Sequence, residues 1–170
     1  TGLTQAEAKE FLRLYRQRYP KVFSFLELQE RLALSRGYVK TLLGRRRFFN
    51  FNPNGLGRLK GKKPEEINLE LARRGGMEAQ QLRAAANAPI QGSSADIIKV
   101  AMVQLQKQLT STKLPAHLLL QVHDELVLEV DPTSLEEVKQ LVITTMANAV
   151  NLSVPLLVET GTGKNWMEAK

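Results

Sequence analysis

His123-Asp124-Glu125 sets three consecutive ionisable side chains between two β-prone apolar runs, residues 118–122 and 126–130, with no glycine or proline between them. Each run has the length and bias of a buried strand, so the triplet falls where a tight strand-to-strand turn belongs. The usual two-residue hairpin uses Asn-Gly or Asp-Gly, so something other than turn geometry selects these side chains. Two adjacent carboxylates on a stiff hairpin can grip a divalent cation through hard oxygen ligands. A solvated polar turn explains the same residues, and spacing alone does not choose between the two. A second group, Arg83, Asn87 and Gln91, recurs every four residues and runs into Gln91-Gly92-Ser93-Ser94-Ala95-Asp96. The planar fork of Arg suits phosphate, and Asn and Gln offer donors and acceptors to base edges; a helix face turned to water would carry the same types. A third, Arg45-Arg46-Arg47, is a compact polycation.

The elements that must hold these groups are legible in part. Thr4-x-x-Glu7 is a capping box, and Ala8, Phe11, Leu12, Tyr15 and Tyr19 follow at helical spacing until Pro20. A second helix is predicted from about residue 22 to 35, with Phe25, Leu26 and Leu32 inward and Gly37 ending it. Residues 38–43 read as a strand that Gly44 turns into Arg45–Phe49, with Phe48 and Phe49 read as core in preference to base-stacking platforms. Residues 50–76 hold Asn50, Asn52, Pro53, Asn54, Gly55, Gly57, Gly61, Gly75 and Gly76 among Lys and Arg. They read as a long, exposed, mobile loop with a short helical piece after Pro64, a surface insertion in preference to a nucleic-acid contact. Helix is expected over residues 77–88, interrupted at Pro89 and restarted by Ser93-x-x-Asp96, with Ile98, Ala101, Met102, Leu105 and Leu109 as its buried stripe. Asp96 is then a capping carboxylate before it is a metal ligand. Thr133 and Ser134 offer caps for a helix to about Ala149, with Leu135, Val138, Leu141, Val142 and Met146 inward; residues 155–160 read as a last strand, and Gly161 and Gly163 lead to Trp166. Helices packed on a small antiparallel sheet make the fold α+β.

The 170 residues are 43% apolar and 24% charged, within the range of a soluble globular domain or part of a larger one. No apolar run approaches the roughly 18 residues of a membrane span. The absence of cysteine excludes disulfides, thiolate zinc sites and a cysteine nucleophile, and fits a reducing, cytoplasmic setting; two histidines, His117 and His123, are too few for a histidine-rich metal site. The +7 charge is uneven: residues 1–43 carry a net +4, residues 44–74 a net +6, and residues 75–170 a net −3. The front and middle suit a polyanion, and the rear carries acidic groups able to hold cations.

The string Asn87-Ala88-Pro89-Ile90-Gln91-Gly92-Ser93-Ser94-Ala95-Asp96, followed by Leu120-Gln121-Val122-His123-Asp124-Glu125, closely resembles family A DNA polymerases of the bacterial DNA polymerase I type. The second string is similar to their motif C, and Gly44-Arg45-Arg46-Arg47 and Gly161-x-Gly163-x-x-Trp166 match the family in the same order. Residues 50–76 depart from it, being longer than the family's usual connection. The resemblance implies the C-terminal part of a right-hand-shaped polymerase domain: about residues 1–110 would give fingers and palm helices with the exposed loop, and about 111–170 the palm hairpin, helix and C-terminal strand. The implied reaction is template-directed transfer of a deoxynucleotide from dNTP to a primer 3′-hydroxyl, in DNA replication and repair. Asp124 would bind two divalent ions, normally Mg²⁺, with Glu125 in a secondary role and His123 near the primer terminus. Arg83, Asn87 and Gln91 would contact the primer-template near the new base pair, and Arg45, Arg46 and Arg47 its backbone phosphates.

The family also needs a second catalytic aspartate and a triphosphate-binding fingers helix, both of which precede the match to Thr1. The isolated chain is therefore expected to be inactive until joined to the missing N-terminal part. The competing expectation is a non-catalytic DNA-binding module that keeps the polymerase scaffold.

Overall fold

A computed structural model describes residues 2, 4–74 and 76–169. The chain divides into two compact units, Thr1–Gly92 and Ser93–Lys170. Among the described residues no helix is long and apolar enough to cross a membrane.

The first unit opens with α1, Gln5–Arg18, whose capping box closes as expected: the Thr4 hydroxyl accepts from the Glu7 N–H, and the Glu7 carboxylate accepts from the Thr4 N–H at 2.7 Å. The Thr4 hydroxyl also donates to the Glu7 carboxylate at 2.7 Å, and that bond first, then the one from the Thr4 N–H, holds the Glu7 carboxyl below its ordinary range. α2, Pro20–Arg36, starts on a proline at its first position and stops at Gly37, whose left-handed backbone (φ 76°) supplies the C-cap. Its inward stripe differs from the expected one. Phe25 is exposed and Leu26 and Leu32 are half-buried, whereas Gln29, Glu30, Ala33 and Leu34 are buried. A carboxylate belongs there only when paired: Arg73 Nε and Nη2 both reach Glu30 Oε2 at 2.9 Å.

β1, Tyr38–Lys40, and β2, Arg46–Phe48, form a two-stranded antiparallel hairpin, shorter than the predicted run and turned at Gly44. The two phenylalanines part company: Phe49 is buried and Phe48 is 68% exposed. Only the first fits the core reading.

Most of residues 50–76 are exposed, as the composition suggests, but the segment is not a free loop. Leu56, Ile67, Leu69 and Ala72 are buried in one cluster with Leu34 and Leu82, and Phe51 and Leu59 pack against it. Single 3-10 turns form at Leu56–Leu59 and, after Pro64 as predicted, at Pro64–Glu66; Asn68 caps the short α3, Leu69–Ala72. The segment is tied down at several points. The Glu78 carboxylate accepts from the Asn52 N–H at 2.6 Å and the Leu56 N–H at 3.2 Å, and the Ser35 hydroxyl donates to the Lys62 carbonyl at 2.6 Å. Its apolar residues are spaced singly, without a helical or strand period, so pattern reading missed them. Gly75 lies outside the described residues.

α4, Met77–Thr112, is a single helix with Pro89 inside it, so neither the predicted interruption nor the restart at Ser93 occurs. Asp96 is accordingly a buried mid-helix residue and not a cap. In the second unit Leu105 and Leu109 of α4 join Ala116, Val138 and Val142 in one core, lined by Leu126, Leu128 and Val130. β3, Ala116–Val122, and β4, Glu125–Val130, pair antiparallel with a register shift between Leu118 and Leu120. They are not buried strands: two strands have one face covered by helices, and Leu119 and Leu120 on β3 stay about half exposed. α5, Leu135–Ala147, buries Val138, Val142 and Thr145. Its entry is capped by neither Thr133 nor Ser134. Asp131 accepts from the Thr133 hydroxyl and N–H, which together hold its carboxyl below the ordinary range. Residues 155–160 form no strand; Pro155 supplies no N–H to a ladder.

Glu78 carries the order of residues 52–56, so Glu78→Ala is expected to lower stability by about 1–3 kcal/mol, the range for losing charge-assisted bonds at a part-exposed site. Hydrogen exchange at the Asn52 and Leu56 amides checks this: unchanged protection would show that another contact orders the segment.

Candidate functional site

Pairing of Val122 with Glu125 leaves His123-Asp124 as a two-residue hairpin loop. His123 sits at φ 54°, in the left-handed region that hairpins usually assign to glycine. A non-glycine residue there costs on the order of 1–3 kcal/mol and persists when its surroundings over-determine it. Part of the bracing is visible: the Gln121 side-chain amide donates to the His123 carbonyl at 2.5 Å. His123, Asp124 and Glu125 are all exposed, so the turn presents two carboxylates outward at the hairpin tip. Among the described residues no group of three or more His, Cys, Asp or Glu is arranged so that it could hold a metal ion.

In the first unit, α4 brings Arg83, Asn87 and Gln91 onto one exposed face. Each step of four residues advances about 40° beyond a full turn, so the three form a slanting strip. Because Pro89 does not end the helix, Gln91 stays in line with Asn87. The buried side of the same stretch is Leu82, Ala85, Ala86 and Ala88.

The three arginines of the hairpin are exposed but differently engaged. Arg45 Nη2 donates to the Gly92 carbonyl at 3.0 Å, and the Arg45 N–H donates to the Thr41 hydroxyl at 3.0 Å. Arg46 lies over the Tyr38 ring, 5.0 Å from its centroid, and Arg47 over Phe49 at 5.4 Å. Arg45 therefore ties the hairpin turn to α4. A Cβ on Gly92 would lie 2.6 Å from Thr41 Cγ2 and 3.3 Å from Arg45 Nη2, so only glycine admits this approach. Sequence reading named Arg45 but missed Thr41 and Gly92 as its partners. A glycine inside a helical pattern was the available signal, since it is unfavourable there without a packing reason.

The fold matches part of a polymerase domain: the POL domain of Pol1 from M. smegmatis, solved as a complex with DNA primer-template and dNTP, matches at a TM-score of 0.77 and 39% identity, over 99% of this chain and 26% of that one. The chain belongs to DNA polymerase family A, whose family model matches residues 1–168. It is 50% identical over 170 residues to DNA polymerase I of Synechocystis sp. and 44% identical over 169 residues to the thermostable DNA polymerase I of Thermus filiformis. It spans 17% and 18% of those two proteins' lengths.

Gly92→Ala is expected to destabilise the protein by about 1–3 kcal/mol through overpacking against Thr41. Thr41→Ser removes the obstructing methyl and keeps the hydroxyl, so the double variant should recover most of that loss in a melting experiment. Strict additivity of the two changes would mean that the contact does not limit the approach.

Proposed function

We propose that this chain supplies part of the palm and fingers of a DNA-directed DNA polymerase that transfers deoxynucleotides from dNTP to a primer 3′-hydroxyl, with release of pyrophosphate. About residues 1–110 would serve as fingers and palm helices and about 111–170 as the palm hairpin, helix and C-terminal segment. The observation that carries the reading is the His123-Asp124 turn, where left-handed backbone at a non-glycine residue holds a carboxylate at the tip of a two-residue loop. Strain of this kind is typical of functional sites.

The donor chemistry fits a divalent ion. Asp124 and Glu125 offer hard carboxylate oxygens, exposed on a stiff turn, which suit Mg²⁺. Asp124 would be the ligand and Glu125 would orient water or the ion. When bound, two such ions lower the pKa of the primer hydroxyl and stabilise the charge of in-line displacement. Further carboxylates must come from elsewhere in the polymerase, and the 170 residues alone would not synthesise DNA. Arg83, Asn87 and Gln91 would hold the duplex near the new base pair, where minor-groove acceptors are nearly the same for every sequence. Contacts there test the shape of a pair without reading its identity, as copying requires. His123, beside Asp124, would lie against the primer end. Arg46 and Arg47 would neutralise backbone phosphates, while Arg45 would add charge from its anchored place on Gly92.

In the whole polymerase, Asp124→Ala should lower the rate of primer extension by at least about a hundredfold and leave DNA affinity nearly intact. Lost DNA binding with normal turnover would instead favour a DNA-binding role for this turn. Arg46→Gln and Arg47→Gln should each reduce the magnitude of the slope of log affinity against log salt by about 1. A slope that does not move would show that neither side chain touches phosphate.

A further inference from the structure

We propose that one face of the β1–β2 hairpin is a stacking platform for unpaired DNA, its occupant being the single-stranded template; this rests on the polymerase reading above. Tyr38 pairs with Phe48, and Lys40 with Arg46, across the two strands. Cross-strand partners and alternate residues share a face, so these four side chains lie together. The rings of Tyr38 and Phe48 are 5.7 Å apart and tilted by 56°, and the Arg46 guanidinium lies 5.0 Å from the Tyr38 centroid. Phe48 is 68% exposed, although its neighbour Phe49, on the other face, is buried. The hairpin thus has one face that builds core, through Val39 and Phe49, and one that offers rings and cations to the outside.

Aromatic rings interleaved with Lys and Arg are what sequence-tolerant binding of single strands uses: the rings take base faces and the cations follow the phosphates. Duplex DNA is the poorer occupant, because its base faces are already stacked on one another. An apolar protein segment is poorer too, because seating it would desolvate Lys40 and Arg46. From residue 38 to 40 the face extends about 7 Å, the rise of two strand residues, which accommodates about two stacked bases.

The experiment uses the full-length polymerase carrying this chain, with Phe48→Ala and Phe48→Trp variants. Affinity is measured by fluorescence anisotropy for a primer-template with an unpaired thymidine 5′ overhang and for the blunt duplex of the same sequence. Phe48→Ala should weaken overhang binding about five- to tenfold, the lower part of what one stacked base contributes. Blunt-duplex binding should stay unchanged, and Phe48→Trp should retain overhang binding. Equal losses on both substrates would assign the face to duplex contact, no loss would show it unused, and a lowered melting temperature with unchanged binding would show it packed against the rest of the protein. Each of these three overturns the proposal. The assay needs no turnover, so its failure is separate from failure of the polymerase reading, which the Asp124→Ala extension rate decides.

Discussion

A helix that continues through a proline must find its stability elsewhere. Pro89 lacks the N–H that would meet the carbonyl four residues back, and its ring crowds that carbonyl, a penalty of about 3 kcal/mol in a helix interior. α4 nonetheless runs on to Thr112. Within the first unit the turns before Pro89 are held by Leu82, Ala85, Ala86 and Ala88, all buried. After it, in the second unit, Ile98, Ala101, Leu105 and Leu109 are buried in turn. Fully burying one leucine contributes about 1.5–3 kcal/mol, so Leu82 and Leu105, both at 0% exposure, together offset the proline. Tertiary packing decides against local preference. The polar strip of Arg83, Asn87 and Gln91 exists only because it does.

The side of α4 roughly opposite that strip is a row of small residues, Ala85, Ala88 and Gly92, spaced by three and four. Ala85 and Ala88 share a cluster with Ala33, Val39 and Phe49, which is where α2 and the hairpin come close to the helix. Gly92 extends the row to the hairpin turn, where Thr41 and Arg45 meet it. Small side chains permit the close approach, and the approach fixes which side of α4 is left for solvent. One packing choice thus sets both what is buried and what is presented.

Features decided within a few residues were legible in the sequence. The Thr4–Glu7 capping box, the Gly37 stop and the Gly44 turn all depend on local backbone chemistry and sit where spacing placed them. The His123-Asp124 turn was found because its residues are wrong for an ordinary hairpin. What was missed depends on partners far along the chain. Glu30 is absent from the predicted inward stripe because its partner, Arg73, lies 43 positions away. The apolar residues of 50–76 carry no period because each fills a separate gap in one cluster. Phe48 and Phe49 are adjacent and chemically alike, so composition could not tell that opposite faces of a strand would separate them. Residues 155–160 have strand character but pair with no strand among the described residues.

Long-range partners also decide which cations are left to face solvent. Residues 44–74 contain nine cations, yet they are not equally free to meet a polyanion. Arg73 spans Glu30 at 2.9 Å and Glu27 at 3.9 Å, and Arg45 is bonded to the Gly92 carbonyl. Arg46, Arg47, Arg58, Lys60, Lys62, Lys63 and Arg74 remain exposed. The segment that holds most of them is fastened by Glu78, Ser35 and Arg31, which donate to or accept from its backbone, while Leu56, Leu59, Ile67 and Leu69 pack into the core. Cations on a fastened segment lose less entropy on meeting phosphate than the same cations on a mobile loop. Folding residues 50–76 against the core therefore turns a composition that looks like a flexible tether into an ordered basic surface.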